Sequence, residues 1–337
     1  MEVLSLLADG MLLALQPLNL ALILIGVSVG LFIGAMPGLG SVNGVAILLP
    51  ITFLVPPSGA IIFLAAIYYG AMYGGAISSV TLGIPGASTA VATTFDGRPL
   101  ARQGRASLAL VTAALASFVG GTVANVLFTA FAPLLASVAL SFGPPEIFAL
   151  MLLAFATFVG LGGDDIPKTV VSICLGLVLA SVGFDQISGE PRLILFEMQG
   201  FLQGIGFLVL AIGVYGIGEM LWTIEQSRGE VTTTTPRMTA RGMIDDTREA
   251  VRRGWKGTWI GSVLGFFVGV LPAAGATPGS LMSYGVAKMV SRTPEQFGKG
   301  NPDGVAAPEA ANNSASTGSM LPMLTLGIPG SPTTAIL

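Results

Sequence analysis

The stretch Gly30–Gly40, GLFIGAMPGLG, returns near the other end of the chain as Gly265–Gly275, GFFVGVLPAAG. A second stretch, Thr81–Gly86, TLGIPG, returns unchanged as Thr325–Gly330. The copies are offset by 235 residues in the first pair and by 244 residues in the second. Motifs with glycine and proline that recur in the same order predict an internal repeat whose helices are interrupted at matching places.

The composition of the 337-residue chain predicts an integral membrane protein. Hydrophobic residues make up 53% and charged residues 10%, and the mean hydropathy is +0.81. A soluble domain carries about 25% charged residues, so this chain has too few to cover a soluble surface. The 46 glycines and 21 prolines are typical of membrane helices, in which neighbouring helices satisfy broken backbone bonds. The predicted fold class is therefore all-α: a polytopic transmembrane helical protein with inverted repeats and broken or re-entrant helices.

Several classes of function are disfavoured by the residues that the sequence lacks. The net charge of −3 gives no basic footprint, so no nucleic acid is expected as a partner. Histidine is absent, which removes Ser-His-Asp and Cys-His nucleophiles and histidine-ligated metals. The lone cysteine, Cys174, lies in an apolar run without other metal ligands. We therefore predict no enzyme activity, no catalytic residues, no metal site and no bound cofactor.

Apolar stretches divide the chain into candidate membrane spans. Six come close to the roughly 17–25 residues that a crossing helix needs: Pro17–Met36, Ala106–Phe131, Glu146–Gly162, Thr169–Phe184, Gly200–Trp222 and Thr258–Ala274. Two further segments, Ser41–Val55 and Gly59–Thr94, look too short or too interrupted for a plain span, and Thr277–Val290 and Gly304–Leu337 are their counterparts in the second copy. Interrupted segments at membrane depth are tolerated only where they are buried in protein or line a cavity.

The distribution of charge predicts the topology. The polar stretch Glu225–Lys256 holds seven of the 15 Lys and Arg residues and is expected to lie in the cytoplasm, whereas the N-terminus carries only Glu2 and Asp9 and is expected in the periplasm. The predicted parts are a first transmembrane repeat, a cytoplasmic basic linker and an incomplete second repeat, at residues 1–224, 225–256 and 257–337. An odd number of crossings then separates the two copies, so we predict an inverted repeat, as in many secondary transporters.

Two polar clusters surround the repeated TLGIPG motifs and are candidates for substrate binding. Helix N-termini at such breaks attract carboxylates, and unwound carbonyl groups can coordinate a cation. The alternative is that these small and hydroxyl-bearing residues merely pack helices together. The candidate substrate residues are Ser78, Ser79, Thr81, Gly83, Gly86, Thr93, Thr94, Asn312, Asn313, Ser314, Thr325, Gly327 and Gly330.

Four residues are candidates for binding the coupling cation: Gly40, Asn43, Gly275 and Glu309. Glu309 is a functional candidate because an ionisable group inside a membrane is costly, but it could equally cap a helix after Pro308. The remaining charges near spans, which are Asp96, Arg98, Asp164, Asp165 and Lys168, are expected in solvated turns at the cytoplasmic boundary.

The chain resembles the large membrane subunit of the bacterial tripartite tricarboxylate transporters. The resemblance is carried by both LGIPG segments together with Pro37–Gly40, Tyr68–Gly70, Tyr73–Ser79, Asp96–Gly97, Phe142–Glu146, Phe297–Gly300 and Pro308–Asn313. It implies a permease in the bacterial inner membrane that moves a tricarboxylate or related organic carboxylate by symport with Na⁺ or H⁺. It also implies two partners, a periplasmic solute-binding protein and a small membrane subunit.

Members of that family are longer, and helices matching Ala106–Trp222 are expected to follow the second copy. The sequence therefore also leaves open a truncated fragment that only scaffolds partner subunits and does not transport.

Overall fold

The computed structural model describes residues 2–37, 39–139, 166–184, 190–193, 239–272 and 274–337, with isolated positions between 143 and 225. The predicted spans Glu146–Gly162 and Gly200–Trp222, the motif Phe142–Glu146, Asp164, Asp165 and linker residues 226–238 lie largely or wholly outside them. The helices are α1 (Glu2–Ala14), α2 (Pro17–Ala35), α3 (Gly40–Leu48), α4 (Pro57–Thr81), α5 (Val91–Arg102), α6 (Ala106–Ala139), α7 (Ile166–Ala180), α8 (Ala240–Val270), α9 (Ala276–Val290), α10 (Pro302–Leu326) and α11 (Pro332–Ile336).

Helices dominate the described residues and confirm the all-α fold class. Short 3₁₀ helices cover Leu49–Leu54, Ser88–Ala90 and Pro294–Gln296. The strands in this part of the chain, β1 (Gly183–Phe184) and β2 (Pro191–Arg192), pair antiparallel over two residues each. Three helices within the described ranges are long and apolar enough to cross a membrane: Pro17–Ala35, Pro57–Thr81 and Ala106–Ser137. The first and third confirm two of the predicted spans.

Two predictions about the spans need correction. The segment Gly59–Thr94 was expected to be too interrupted for a plain span, but its first part belongs to α4, one continuous helix of 25 residues. The glycines Gly70 and Gly74 do not end this helix; they let it touch the backbone of α2. The predicted span Thr169–Phe184 is also displaced, because α7 begins at Ile166 and ends at Ala180, and Phe184 belongs to β1.

Glycines in α2 and α8 set how closely the helices approach one another. A Cβ atom added to Gly30 would lie 2.3 Å from the carbonyl oxygen of Ile67 in α4. The same addition to Gly265 in α8 would lie 2.5 Å from the carbonyl oxygen of Ala311 in α10. The two glycines differ by 235 residues and their partners by 244, the offsets of the sequence motifs. The internal repeat is therefore visible as duplicated helix packing of the small-residue type used in membranes.

Adding a side chain to this packing is expected to destabilise the protein. Gly261→Ala would place a methyl group 2.2 Å from the carbonyl oxygen of Ala307, so α8 and α10 must separate. Overpacking of this kind costs about 1–3 kcal/mol. Gly121→Ala is the matched control, since a Cβ atom at this α6 position meets nothing within 4 Å. Thermal unfolding of the purified variants in detergent measures the difference; equal midpoints for the two would contradict the packing argument.

α10 lies at the centre of the described bundle, against α8, α6, α9 and α5. Nineteen of its 25 residues are buried, although its middle is rich in Ala, Ser and Asn. Because α10 is surrounded by other helices, it does not need the apolar surface that a lipid-facing helix requires.

The basic linker and the second repeat are joined by one helix. α8 begins at Ala240, with Thr239 as its N-cap, and continues through Lys256 into the apolar stretch without a break. Glu249 in its polar half pairs with Arg253, at 3.0 Å, and with Arg105 at the start of α6. Partial burial by itself would raise the pKa of Glu249, but the two guanidinium groups outweigh it and lower the pKa below 4.5. Glu249 is thus charged at neutral pH, and its ion pairs hold α8 against the α5–α6 turn. Their contribution to the stability of the fold is lost as the pH falls through the lowered pKa.

Candidate functional site

Both copies of TLGIPG interrupt the chain in the same way. α4 ends at Thr81 and α10 ends at Leu326. Just beyond, Gly83 and Gly327 have φ angles of 76° and 73°, in the left-handed region that favours glycine. The predicted helix breaks are therefore present at both motifs.

The two copies meet beside their breaks, where two hydrogen bonds join hydroxyl groups. Ser41, at the start of α3 in the first copy, lies 3.0 Å from Thr333, which follows the second break. Ser88, which follows the first break, lies 3.0 Å from Thr277 at the start of α9 in the second copy. Each bond thus links the beginning of one copy's short helix to the region behind the other copy's break.

Backbone groups at the breaks are partly used within the protein. The N–H of Gly275 donates to the carbonyl oxygen of Gly330 at 2.9 Å, and the N–H of Gly330 donates to Ser319 at 3.3 Å. In the first copy, a Cβ atom added to Gly40 would lie 3.3 Å from the Cβ atom of Ala87. Gly40, Gly275 and Gly330 therefore shape the meeting point of the breaks.

Glu309 is completely buried in the middle of α10, where three elements converge. The hydroxyl of Thr93 in α5 donates to Oε1 of Glu309. The hydroxyl of Ser117 in α6 donates to Oε2 at 3.3 Å. Among the described residues no Lys or Arg forms an ion pair with this carboxyl group. The alternative that Glu309 caps a helix is wrong, because α10 begins seven residues earlier, at Pro302.

Two buried amide groups present oxygens without a hydrogen-bond partner. The Nδ2 of Asn312 donates to the carbonyl oxygen of Met72 at 3.3 Å, and the Nδ2 of Asn43 donates to that of Leu39. The Oδ1 atoms of both side chains are buried and accept no bond from any residue that the structure describes. An unsatisfied buried polar atom costs about 1–3 kcal/mol, so such atoms are rare unless water or an ion completes them.

Asp96 occupies a buried site that was not predicted. Its carboxylate accepts the N–H groups of Gly298, Gly300 and Asn301, at 2.7–3.0 Å, and the hydroxyl of Tyr284 at 2.9 Å. The interpretation of Asp96 as a solvated boundary residue is wrong, because the side chain is completely buried. The carboxylate instead ties α5 of the first copy to the loop before α10 of the second.

Arg98 was also expected in solvent, and that expectation is wrong as well. It is 8% exposed and donates to the carbonyl oxygen of Thr81 at the end of α4. Its side chain lies over Gly83, where an added Cβ atom would be 3.1 Å away. Arg98 thus supports the first break from within the protein. Lys168 lies in the first turn of α7.

The profile of the tripartite tricarboxylate transporter TctA family matches residues 20–337. The chain belongs to this family. Over its full length it is 40% identical to an uncharacterized 52.8 kDa protein in the TAR-I ttuC′ 3′ region of Agrobacterium vitis. Over 73 residues it is 48% identical to an uncharacterized protein in the TAR-II ttuC′ 3′ region of the same organism.

This member of the TctA family spans 66% of the length of the first relative. The 73 residues matched to the second relative are 22% of this chain and 30% of that relative. No solved structure matches the chain.

Most of the predicted substrate hydroxyls donate to carbonyl groups of the TctA-family chain itself. In the first copy the donors and their acceptors are Ser78 to Gly75, Ser79 to Gly75 and Ala90, Thr81 to Ile77, and Thr94 to Val91. In the second copy they are Ser314 to Ser262 and Thr325 to Leu321. Such bonds use the only proton of each hydroxyl but leave its oxygen able to accept. Asn313 likewise donates to the carbonyl oxygen of Glu309 at 3.2 Å. The assignment of these residues and of Gly86 to the substrate stays a prediction.

The structure adds residues that the sequence did not single out as site residues. The hydroxyl oxygen of Tyr69 in α4 lies 2.5 Å from that of Thr317 in α10. The hydroxyl oxygen of Tyr68 lies 3.3 Å from that of Ser331, which follows the second break. Ser117 sits in an apolar span, where one serine among alanines gives no signal. Tyr69 precedes the first TLGIPG motif by 12 residues, and this nearness to the repeat was the only clue.

Proposed function

We propose that this chain is part of the permease subunit of a binding-protein-dependent secondary transporter for tricarboxylates or related organic carboxylates. Membership of the TctA family supports the tricarboxylate class. The observation that carries the proposal is the contact of the two copies beside their breaks, through Ser41 with Thr333 and Ser88 with Thr277. An inverted arrangement of the two copies would put this meeting point near the middle of the membrane, where such transporters bind substrate.

Helix starts at this point supply the chemistry for an anionic substrate. α3 and α9 begin one residue before Ser41 and Thr277, and their N-caps Leu39 and Gly275 contribute no side-chain hydrogen bond. The first N–H groups of these helices therefore lack the side-chain acceptors that usually satisfy them. Together with the helix dipoles they can hold carboxylate groups without a buried Lys or Arg.

Glu309 is the proposed site of coupling to the cation gradient. A buried carboxyl group without a positive partner is stable only when it is protonated or when a cation lies beside it. Both states couple substrate movement to an ion, H⁺ in the first case and Na⁺ in the second. The Oδ1 atoms of Asn43 and Asn312, which accept no hydrogen bond from a described residue, are oxygen ligands of the type that coordinates Na⁺.

The assembly and its orientation are part of the same proposal. The permease works with a periplasmic solute-binding protein and a small membrane subunit in the bacterial inner membrane. The N-terminus faces the periplasm and residues 225–256 face the cytoplasm, which the arginines of α8 support through the positive-inside rule.

The direct test is uptake by the whole protein, reconstituted in vesicles with both partner subunits. Radiolabelled mono-, di- and tricarboxylates are offered with an imposed Na⁺ gradient, an imposed pH gradient, or neither. We expect saturable accumulation of a di- or tricarboxylate under one of the two gradients. If no carboxylate accumulates under either gradient, the proposed function is wrong.

A further inference from the structure

A basic cavity of about 250 Å³ lies between α8, α9 and the segment that leads into α10. Its wall includes four cationic side chains, of Arg252, Arg253, Lys256 and Arg292, and one acid, Asp303. Cavities for complete small molecules usually measure about 300–1,000 Å³, so this one fits a compact anionic group. None of the residues in its wall belongs to the proposed transport site.

Three of the four cations lack an ion-paired acidic partner among the described residues, and one of them, Lys256, has its Nζ 6.0 Å from the centroid of the Trp255 ring. Arg253 is paired with Glu249 at 3.0 Å. Within the described ranges, Arg252, Lys256 and Arg292 form no ion pair. Asp303 accepts the N–H of Gly257 at 2.8 Å and also attracts Lys256 and Arg253, so it offsets one of the four positive charges. The cavity therefore keeps an excess of positive charge, which favours a phosphate-like anion.

Exposed apolar side chains, two in the cavity wall (Trp255 and Val290) and two on the same helices (Trp259 and Met289), point to the source of that anion. Trp255, Trp259, Met289 and Val290 are 53%, 52%, 75% and 55% exposed. They stand where α8 passes from its charged half into its apolar half, at Lys256, and where α9 ends. Tryptophan is enriched at the boundary between lipid and water, and basic pockets there bind the headgroups of anionic lipids. A soluble anion would have no use for such an apolar rim.

We propose that this cavity binds the phosphate headgroup of an anionic phospholipid, whose acyl chains lie along Trp255, Trp259 and Met289. The three unpaired cations hold the headgroup. The lipid fills the space between α8 and α9 and so stabilises the start of the second copy.

The test uses the whole protein in lipid nanodiscs that contain brominated lipids, which quench nearby tryptophan fluorescence. Trp222→Phe in every sample leaves Trp255 and Trp259 as the reporters within this chain. We expect brominated phosphatidylglycerol to quench at much lower mole fraction than brominated phosphatidylcholine. Replacing Arg252, Lys256 and Arg292 together by Gln should reduce this preference about tenfold or more.

Matched controls separate the pocket from general attraction between basic protein and acidic membrane. Arg241, Arg248 and Lys299, replaced together by Gln, remove the same charge from exposed positions outside the cavity and should leave the preference unchanged. If both triple variants lose it equally, or if inorganic phosphate abolishes it, the lipid site is wrong. If the pocket triple variant does not fold, Arg292→Gln alone, at an exposed residue, must still weaken the preference. Uptake can be absent in every sample without affecting this result.

Discussion

Glu309→Gln is expected to reduce gradient-driven carboxylate accumulation to background. Glutamine has nearly the same shape and still accepts the hydroxyl of Thr93 or that of Ser117, so the fold should survive. It carries no charge and binds no proton in the physiological range, so neither H⁺ nor Na⁺ is bound as before. The measurement is uptake in vesicles with the partner subunits, under the gradient that drives the unsubstituted protein.

Two further variants make this result specific to the charge. Ser117→Ala removes one donor, 3.3 Å from Oε2, and leaves the carboxylate, so it should weaken uptake without abolishing it. Glu309→Asp keeps an ionisable group and should retain some gradient dependence. Full accumulation by Glu309→Gln under the same gradient would show that coupling occurs elsewhere.

Asp96→Asn is expected to cause the largest loss of stability. Hydrogen bonds to a charged group contribute roughly 1.5–3 kcal/mol each, and this carboxylate accepts three backbone N–H groups and one hydroxyl. An amide that turns its NH₂ group toward these donors leaves several of them unsatisfied. We expect a loss of about 3 kcal/mol or more, seen as a lower midpoint of thermal unfolding or as failure to purify the folded protein.

Glycine substitutions near Asp96 provide an independent check. In Gly304→Ala the added Cβ atom would lie 2.1 Å from Oδ2 of Asp96, so this variant should reproduce the loss. Gly285→Ala in α9 meets nothing within 4 Å and should behave like the unsubstituted protein. A normal midpoint for both Asp96→Asn and Gly304→Ala would mean that this contact does not hold the two copies together.

The repeat and its breaks could be predicted from sequence because their causes are local. The left-handed backbone at positions 83 and 327 favours glycine, and the prolines that follow Gly83 and Gly327 cannot continue a helix. The continuity of α4 could not be read in this way. Gly70 and Gly74 look like helix breakers in sequence, yet they allow a close approach to α2, and only the partner helix distinguishes these roles.

The candidate site shows the same division between local and distant causes. Glu309 stood out because a carboxyl group is rare among apolar residues. Its partner Ser117 comes from another helix, 192 residues away, and nothing near it in sequence marks it. Asp96 was placed in solvent because it precedes Arg98 near an expected membrane boundary. The loop at Gly298–Asn301 that buries it lies about 200 residues further along the chain.

The central claim is that the two broken segments form one binding site for a carboxylate. The most direct measurement is the rate of disulfide formation in Ser88→Cys with Thr277→Cys, in a Cys174→Ala background, with and without carboxylates. The hydroxyl oxygens of the two residues are 3.0 Å apart, so the account predicts rapid cross-linking that a transported di- or tricarboxylate slows. No cross-link, or a rate that no carboxylate changes, would contradict it.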